Sequence, residues 1–243
     1  MTGLARRAFL AAALSAAAVA FAAPPIEGSG RAASADRGAR DFHALAVSVP
    51  SRVDLVQGEA EGLTIEADDN VLPLIRSGVE DGVLRIRFPE GVSVRPRTPI
   101  RITVRLRSIA RVTLAGAVRL EAPVLKADRL ELRLSGSSSV RMPKIAARAI
   151  DLQSSGHCHA MAAGTADDLR LRISGAGEIN AAELEARRVR AEISGSAQVA
   201  AWAREALEAR ITGSGAVRYF GDPALTKRVA GSGVVQRLGA APP

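Results

Sequence analysis

Several things are scarce in this sequence, and each scarcity closes a route. There is one cysteine, Cys158. An internal disulfide is therefore excluded, and an oxidising compartment would leave a free thiol or an intermolecular bridge. Aromatic residues make up 3% of the chain, too few for a surface that stacks bases or sugar rings; only Trp202 and Tyr219 could serve that purpose. Specific nucleic-acid recognition is not expected. Histidine occurs three times. No phosphate-binding loop, nucleophile elbow, zinc phrase or dinucleotide fingerprint is found. Beyond the amino terminus no apolar run is long enough to span a bilayer.

What is present begins with a leader. Arg6 and Arg7 precede a short apolar run from Phe9 to Ala22, and Ala20-Phe21-Ala22 followed by Ala23 supplies a small-residue cleavage region. Residues 1–22 are read as a signal peptide. The context Ala5 to Leu10 partly matches a twin-arginine signal; an ordinary secretory leader fits the same residues. The expected destination is the periplasm or surface of a bacterium. Residues 23–40, rich in Pro, Gly, Ser and Ala, read as a flexible linker. The formal net charge is +8, and loss of Arg6 and Arg7 leaves 8 − 2 = +6. Most basic residues are arginines dispersed among Asp and Glu. Such a surface is solvated, with weak, salt-sensitive attraction to anionic polymers.

The main signal lies between residues 110 and 238. An apolar residue, then a small or hydroxyl residue, then glycine recurs at Gly116, Gly136, Gly156, Gly175, Gly195, Gly213 and Gly231, spaced 20, 20, 19, 20, 18 and 18 apart. A fixed period of this size means a solenoid. Before each glycine the chain alternates, as in Leu130-Glu131-Leu132-Arg133-Leu134, which is a strand with one buried face. The expected fold is all-β: a right-handed parallel β-helix of about seven coils over residues 111–238. Stacking predicts inward columns: Leu114, Leu134, Ser154, Ile173, Ile193, Ile211 and Val229; then Val112, Leu132, Leu152, Leu171, Ala191 and Ala209; then Leu120, Val140, Ala160, Ile179, Val199, Val217 and Val235. An outward column of Arg111, Glu131, Asp151, Arg170, Arg190 and Glu208 reads as a charged ladder. Residues 41–110 lack the phrase but carry strand candidates at 44–49, 52–56, 63–67, 83–88 and 100–106. They are expected to cap the solenoid, since an open edge invites pairing with other chains.

The phrases Ile173 to Ile179 and Ile211 to Val217 resemble the Gly-Ser-Gly repeats of the GIN domain, the head domain of auto-transporter adhesins. Phe42, Val53 to Gly58, Ile65 to Asn70 and Val79 to Leu84 are similar to that family's opening strands. The resemblance covers residues 41–238. It implies an exported β-helical fold and an adhesin-like role, and it offers no catalytic residue to carry over.

One repeat departs from the pattern, at Gly156-His157-Cys158-His159. Histidine and cysteine are metal-ligand types. On a strand, however, His157 and His159 point one way and Cys158 the other, so the three do not converge. The expectation is no bound metal, with Cys158 packed as a small apolar group. No cofactor is expected. Carboxylates that could serve a polysaccharide-cleaving β-helix are Asp128, Glu131, Asp151, Asp167, Asp168, Glu178 and Glu192; all read more simply as solvated residues. The leading expectation is a non-enzymatic exported binding or structural module for envelope polysaccharide or a protein partner, with self-association open. The alternatives are a polysaccharide lyase or hydrolase and an envelope scaffold for a partner protein.

Overall fold

The computed structural model describes residues 24–242. The leader, with Ala20, Ala22 and Ala23, lies outside the described residues. Alternation along the chain becomes strand almost everywhere; the single helical element described is a short 3-10 turn at Leu72–Leu74.

The repeat is a stack of parallel rungs. Strands β1 to β9 precede it: β1 (Ile26–Glu27), β2 (Ala32–Arg37), β3 (Ala44–Val47), β4 (Ser51–Gln57), β5 (Gly62–Asp68), β6 (Arg76–Glu80), β7 (Val83–Arg87), β8 (Val94–Arg95) and β9 (Arg101–Leu106). The body comprises β10 (Arg111–Gly116), β11 (Val118–Glu121), β12 (Leu125–Gly136), β13 (Ser139–Gly195), β14 (Gln198–Gly213), β15 (Ala216–Phe220), β16 (Ala224–Ala230) and β17 (Val234–Gly239). Leu114 pairs with Leu134 and Leu134 with Ser154, Ile193 with Ile211 and Ile211 with Val229, all in parallel register. The expected inward columns therefore exist, and their members from Val112 to Val217 are buried. Each coil alone could not bury its apolar side; stacking merges them into one core.

The glycines form a column of their own. A side chain on Gly136 would meet Gly116, one on Gly156 would meet Gly136, and so on up to Gly231 against Gly213. Each lies at positive φ, from +80° to +132°, a conformation that other residues resist. Across this corner the nitrogens of Ser137, Ser196 and Ser214 donate to the carbonyls of Gly116, Gly175 and Gly195 at 3.0–3.1 Å. Seven stacked glycines enclose six turns, one fewer than the expected seven.

The fall in spacing from 20 to 18 residues has a local cause. Ala181 pairs with Ala201, but Glu185 pairs with Trp202, so the upper coil omits three residues. Ala186 pairs with Ala203 and Arg188 with Ala206, which returns one. One side of the coil shortens, and the two sides that carry the glycine corner keep their register.

The amino-terminal segment departs from expectation in two ways. It extends the stack before it caps it. Strands β3 and β4 form a parallel rung under β10 and β11, with Leu45 below Val112 and Val53 below Leu120. Strands β7 and β9 add another in parallel. Only then do β6 and β5 turn antiparallel, followed by β2 on β5. Second, the supposed linker at 23–40 is structured over its described residues. β1 pairs with β8, and β2 pairs with β5 over six residues. Two side chains fasten it. Arg37 donates to the carbonyl oxygens of Leu72 and Ile75 and to Ser77. Asp68 is fully buried and accepts hydrogen bonds from the nitrogens of Gly30, Arg97 and Thr98 and from the Thr98 hydroxyl.

Burial alone would raise the Asp68 pKa, but the bonds from Thr98, Arg97 and Gly30 outweigh it and hold the carboxyl below its ordinary 3.8. A depressed folded-state pKa adds stability that is complete above the unfolded value and is lost as pH falls through the folded one. Asp68→Asn would oppose an amide N–H to these donors. Hydrogen exchange should then accelerate by about tenfold or more at residues 26–37, while amides around Leu132 and Ile193 keep their protection. In the parent chain the same local loosening should appear only at acidic pH, below about 4.

Candidate ligand-binding face

The side of the solenoid formed by β10, the later part of β12 and the strands stacked above them presents three outward columns. The first is Arg111, Glu131, Asp151, Arg170, Arg190, Glu208. The second is Thr113, Arg133, Gln153, Arg172, Glu192, Arg210, Arg228. The third is Ser135, Ser155, Ser174, Ser194, Thr212. Between the second and third runs a groove of about 620 Å³, walled by Arg133, Gln153, Arg172, Glu192 and Arg210 on one flank and floored by the hydroxyls. Ser155, Ser174, Ser194 and Thr212 are exposed.

The charges are cross-linked between rungs. Glu131 accepts from Arg111 and Arg133, each at 2.7 Å. Arg172 lies 3.1 Å from Asp151 and 3.8 Å from Glu192. Arg210 bridges Glu192 at 3.3 Å and Glu208 at 2.6 Å, and Glu208 also accepts from Arg190 at 2.7 Å. Pairs this exposed contribute little to stability, about 0–1 kcal/mol each. Their effect is on posture: each carboxylate holds a guanidinium plane in place while other N–H groups remain free to donate outward. The face is rich in cation, because Arg111, Arg133, Arg170, Arg172, Arg190, Arg210 and Arg228 outnumber Glu131, Asp151, Glu192 and Glu208. Arg170 and Arg228 have no carboxylate within ion-pair distance among the described residues.

The carboxylates considered for catalysis are mostly engaged elsewhere. Asp128 pairs with Arg148 at 2.8 Å, and Asp168 accepts two bonds from Arg188 at 2.7 and 2.8 Å. Asp167 lies beside Arg187, and Glu178 lines a shallow groove with Arg119, Arg141 and His159. The Arg111 guanidinium, aided by Arg133 against partial burial, holds Glu131 below the ordinary carboxylate range. Arg188 does the same for Asp168. A general acid needs a shift in the opposite direction.

At the odd repeat, Cys158 is buried in the core, whereas His157 and His159 are exposed with ring centroids 5.0 Å apart. The structure thus separates the thiol from the two imidazoles. Among the described residues no group of three or more metal-ligand side chains converges. Burial pushes the Cys158 thiol up, and the Ser154 hydroxyl offsets this only in part. A thiol reagent should label the native chain at least ~100-fold more slowly than the urea-unfolded chain. A covalent dimer through Cys158 would then require opening of the coil.

Sequence reasoning found the first charged column and noted the small residues at the corner. It missed the second column and the groove. The signal was available, since the residue two places before each hydroxyl is polar in every coil.

Fold and face together define a parallel β-solenoid with a long polar, arginine-rich face. Residues 41–223 match the family described as "Putative auto-transporter adhesin, head GIN domain", and the chain belongs to that family. No curated protein matches the sequence. Among solved structures, one named "putative adhesin" from Bacteroides fragilis is 23% identical, with a TM-score of 0.84, over 88% of this chain and 100% of that one. A "putative lipid binding protein" from Parabacteroides distasonis is 24% identical, with a TM-score of 0.68, over the same shares. These likenesses establish the fold. Among the described residues no helix is long and apolar enough to cross a membrane.

Proposed function

We propose that this chain is an exported, non-catalytic binding module that holds an extended acidic polysaccharide along the hydroxyl-floored groove. One observation carries the reading: a continuous groove across successive coils in which hydroxyls, those of Ser155, Ser174, Ser194 and Thr212 exposed, run beside arginines oriented by their neighbours' carboxylates. Rungs repeat at about 4.8 Å, so the five hydroxyls from Ser135 to Thr212 extend over about 19 Å. That shape suits a linear polymer better than a compact small molecule. Arginine recognises carboxylate and sulfate groups in a planar, two-point manner, and serine hydroxyls both donate and accept. Membership of an adhesin-head family and the leader-like residues 1–22 support an envelope or surface setting.

The test uses the purified mature chain on immobilised acidic and neutral polysaccharides. Retention should favour the acidic polymers and weaken steeply with salt. The double variant Arg172→Ala, Arg210→Ala should weaken retention by about tenfold at unchanged thermal stability. Release of oligosaccharide products would overturn the non-catalytic reading, and equal retention of the double variant would remove the groove as the site. Failure of every polysaccharide to be retained would move the ligand to the protein class.

A further inference from the structure

The last coil differs from those beneath it. β16 pairs only with β14, and β17 only with β15. One row of backbone N–H and C=O groups along each is thus unpaired among the described residues, which is the template that strand addition uses. The inward positions of this coil are open. Leu225 and Val229 are 39% and 41% exposed, whereas Leu207 and Ile211 directly below are 1% and 2%.

Between these two apolar positions the column changes character. It runs Leu171, Ala191, Ala209 and then Lys227, in register with Ala209. An inward-facing lysine at an edge discourages an apolar strand from pairing there. It also disfavours a second copy in the same orientation, which would bring two Lys227 side chains together. Arg228 and Arg237 add positive charge, and Asp222 is the one carboxylate in residues 222–239.

We propose that the carboxy-terminal coil is a docking edge for an extended peptide segment of a partner protein, added parallel to β16. The inward side chains of that segment would alternate apolar, acidic, apolar. The apolar pair covers Leu225 and Val229, the backbone completes the open row of hydrogen bonds, and the acidic residue meets Lys227. Hydrogen bonds would supply affinity, and the central carboxylate would supply selectivity. The site lies at the end of the stack and is independent of the groove.

The probe is a synthetic peptide with isoleucine, glutamate and isoleucine at alternate positions and threonine between. Its control carries lysine in place of the glutamate. Fluorescence anisotropy with the mature chain should show the acidic peptide binding about tenfold more tightly, and hydrogen exchange should slow at residues 224–230. In Lys227→Glu, an exposed substitution, the preference should reverse. Equal affinities, no binding of either peptide, protection elsewhere on the chain, or concentration-dependent self-association abolished by Lys227→Glu would each overturn the proposal.

Discussion

Replacement of Gly195 by alanine should destabilise the solenoid more than the same exchange at any other glycine of the stacked column from Gly116 to Gly231. Gly195 has φ +132°, and a Cβ there would lie 2.2 Å from the carbonyl oxygen of Gly175 and 3.0 Å from its carbon. Both obstructing atoms are backbone. They belong to a rung held by its own ladder and by the bond from Ser196 N to Gly175 O at 3.0 Å, so the neighbour cannot yield without breaking that pairing. Positive-φ strain alone costs about 1–3 kcal/mol, and displaced ladder bonds add about 1 kcal/mol each. The expected loss is about 3–5 kcal/mol. For a chain of this size that lowers the thermal midpoint by roughly 10 °C. Gly116→Ala is the internal control. Its φ is +86°, but a Cβ would meet nothing within 4 Å, so it should cost only the conformational part, about 1–2 kcal/mol. Calorimetry on the two variants separates the close approach of rungs from backbone angle. Equal midpoints would mean that stacking of the glycines does not constrain the corner.

An aspartate in an inward column should be worse. Leu132 is 1% exposed and stands between Val112 and Leu152 in register. Leu132→Asp removes about 1.5–3 kcal/mol of apolar burial. It also places a carboxylate where no cation reaches, at a further cost of several kcal/mol. The sum approaches the whole stability of a typical domain, roughly 5–15 kcal/mol. At neutral pH the variant should lack a cooperative thermal transition in its central coils. Burial raises the pKa of such a carboxyl, so its unfavourable effect is greatest above the folded-state value and is relieved as pH falls below it. Partial recovery of structure at mildly acidic pH is the signature. Arg133→Ala, one residue away on the outer surface, removes only the 2.7 Å pair with Glu131 and should cost about 0–1 kcal/mol. If the two variants melted alike, the assignment of inward and outward faces would be wrong.

The contrast between these neighbouring positions shows what a period of two can convey. Alternation at residues 130–134 was enough to place Leu132 inside and Arg133 outside, because strand geometry leaves no third choice. A recurrence of 18 to 20 residues was enough to stack the coils, since a half-buried strand has no stable existence alone. Cys158 followed from the same parity. Residues 24–40 went the other way. Their composition suits a linker, yet β2 is fastened by Asp68 and Arg37, whose bonds join residues 35 to 40 positions apart. Local composition carries no record of such partners.

The sequence by itself determined the all-β class, the solenoid, the identity of its core columns and the glycine corner, because each depends on spacing along one chain. Tertiary structure alone decided that the amino-terminal segment continues the stack before closing it. It also decided that one side of the coil shortens at residues 182–184, that the second arginine column and the hydroxyls share a groove, and that Leu225 and Val229 are left open around Lys227. These features arise from which rung lies over which and where stacking stops. They depend on distances between residues far apart in sequence, and strand periodicity is silent about those.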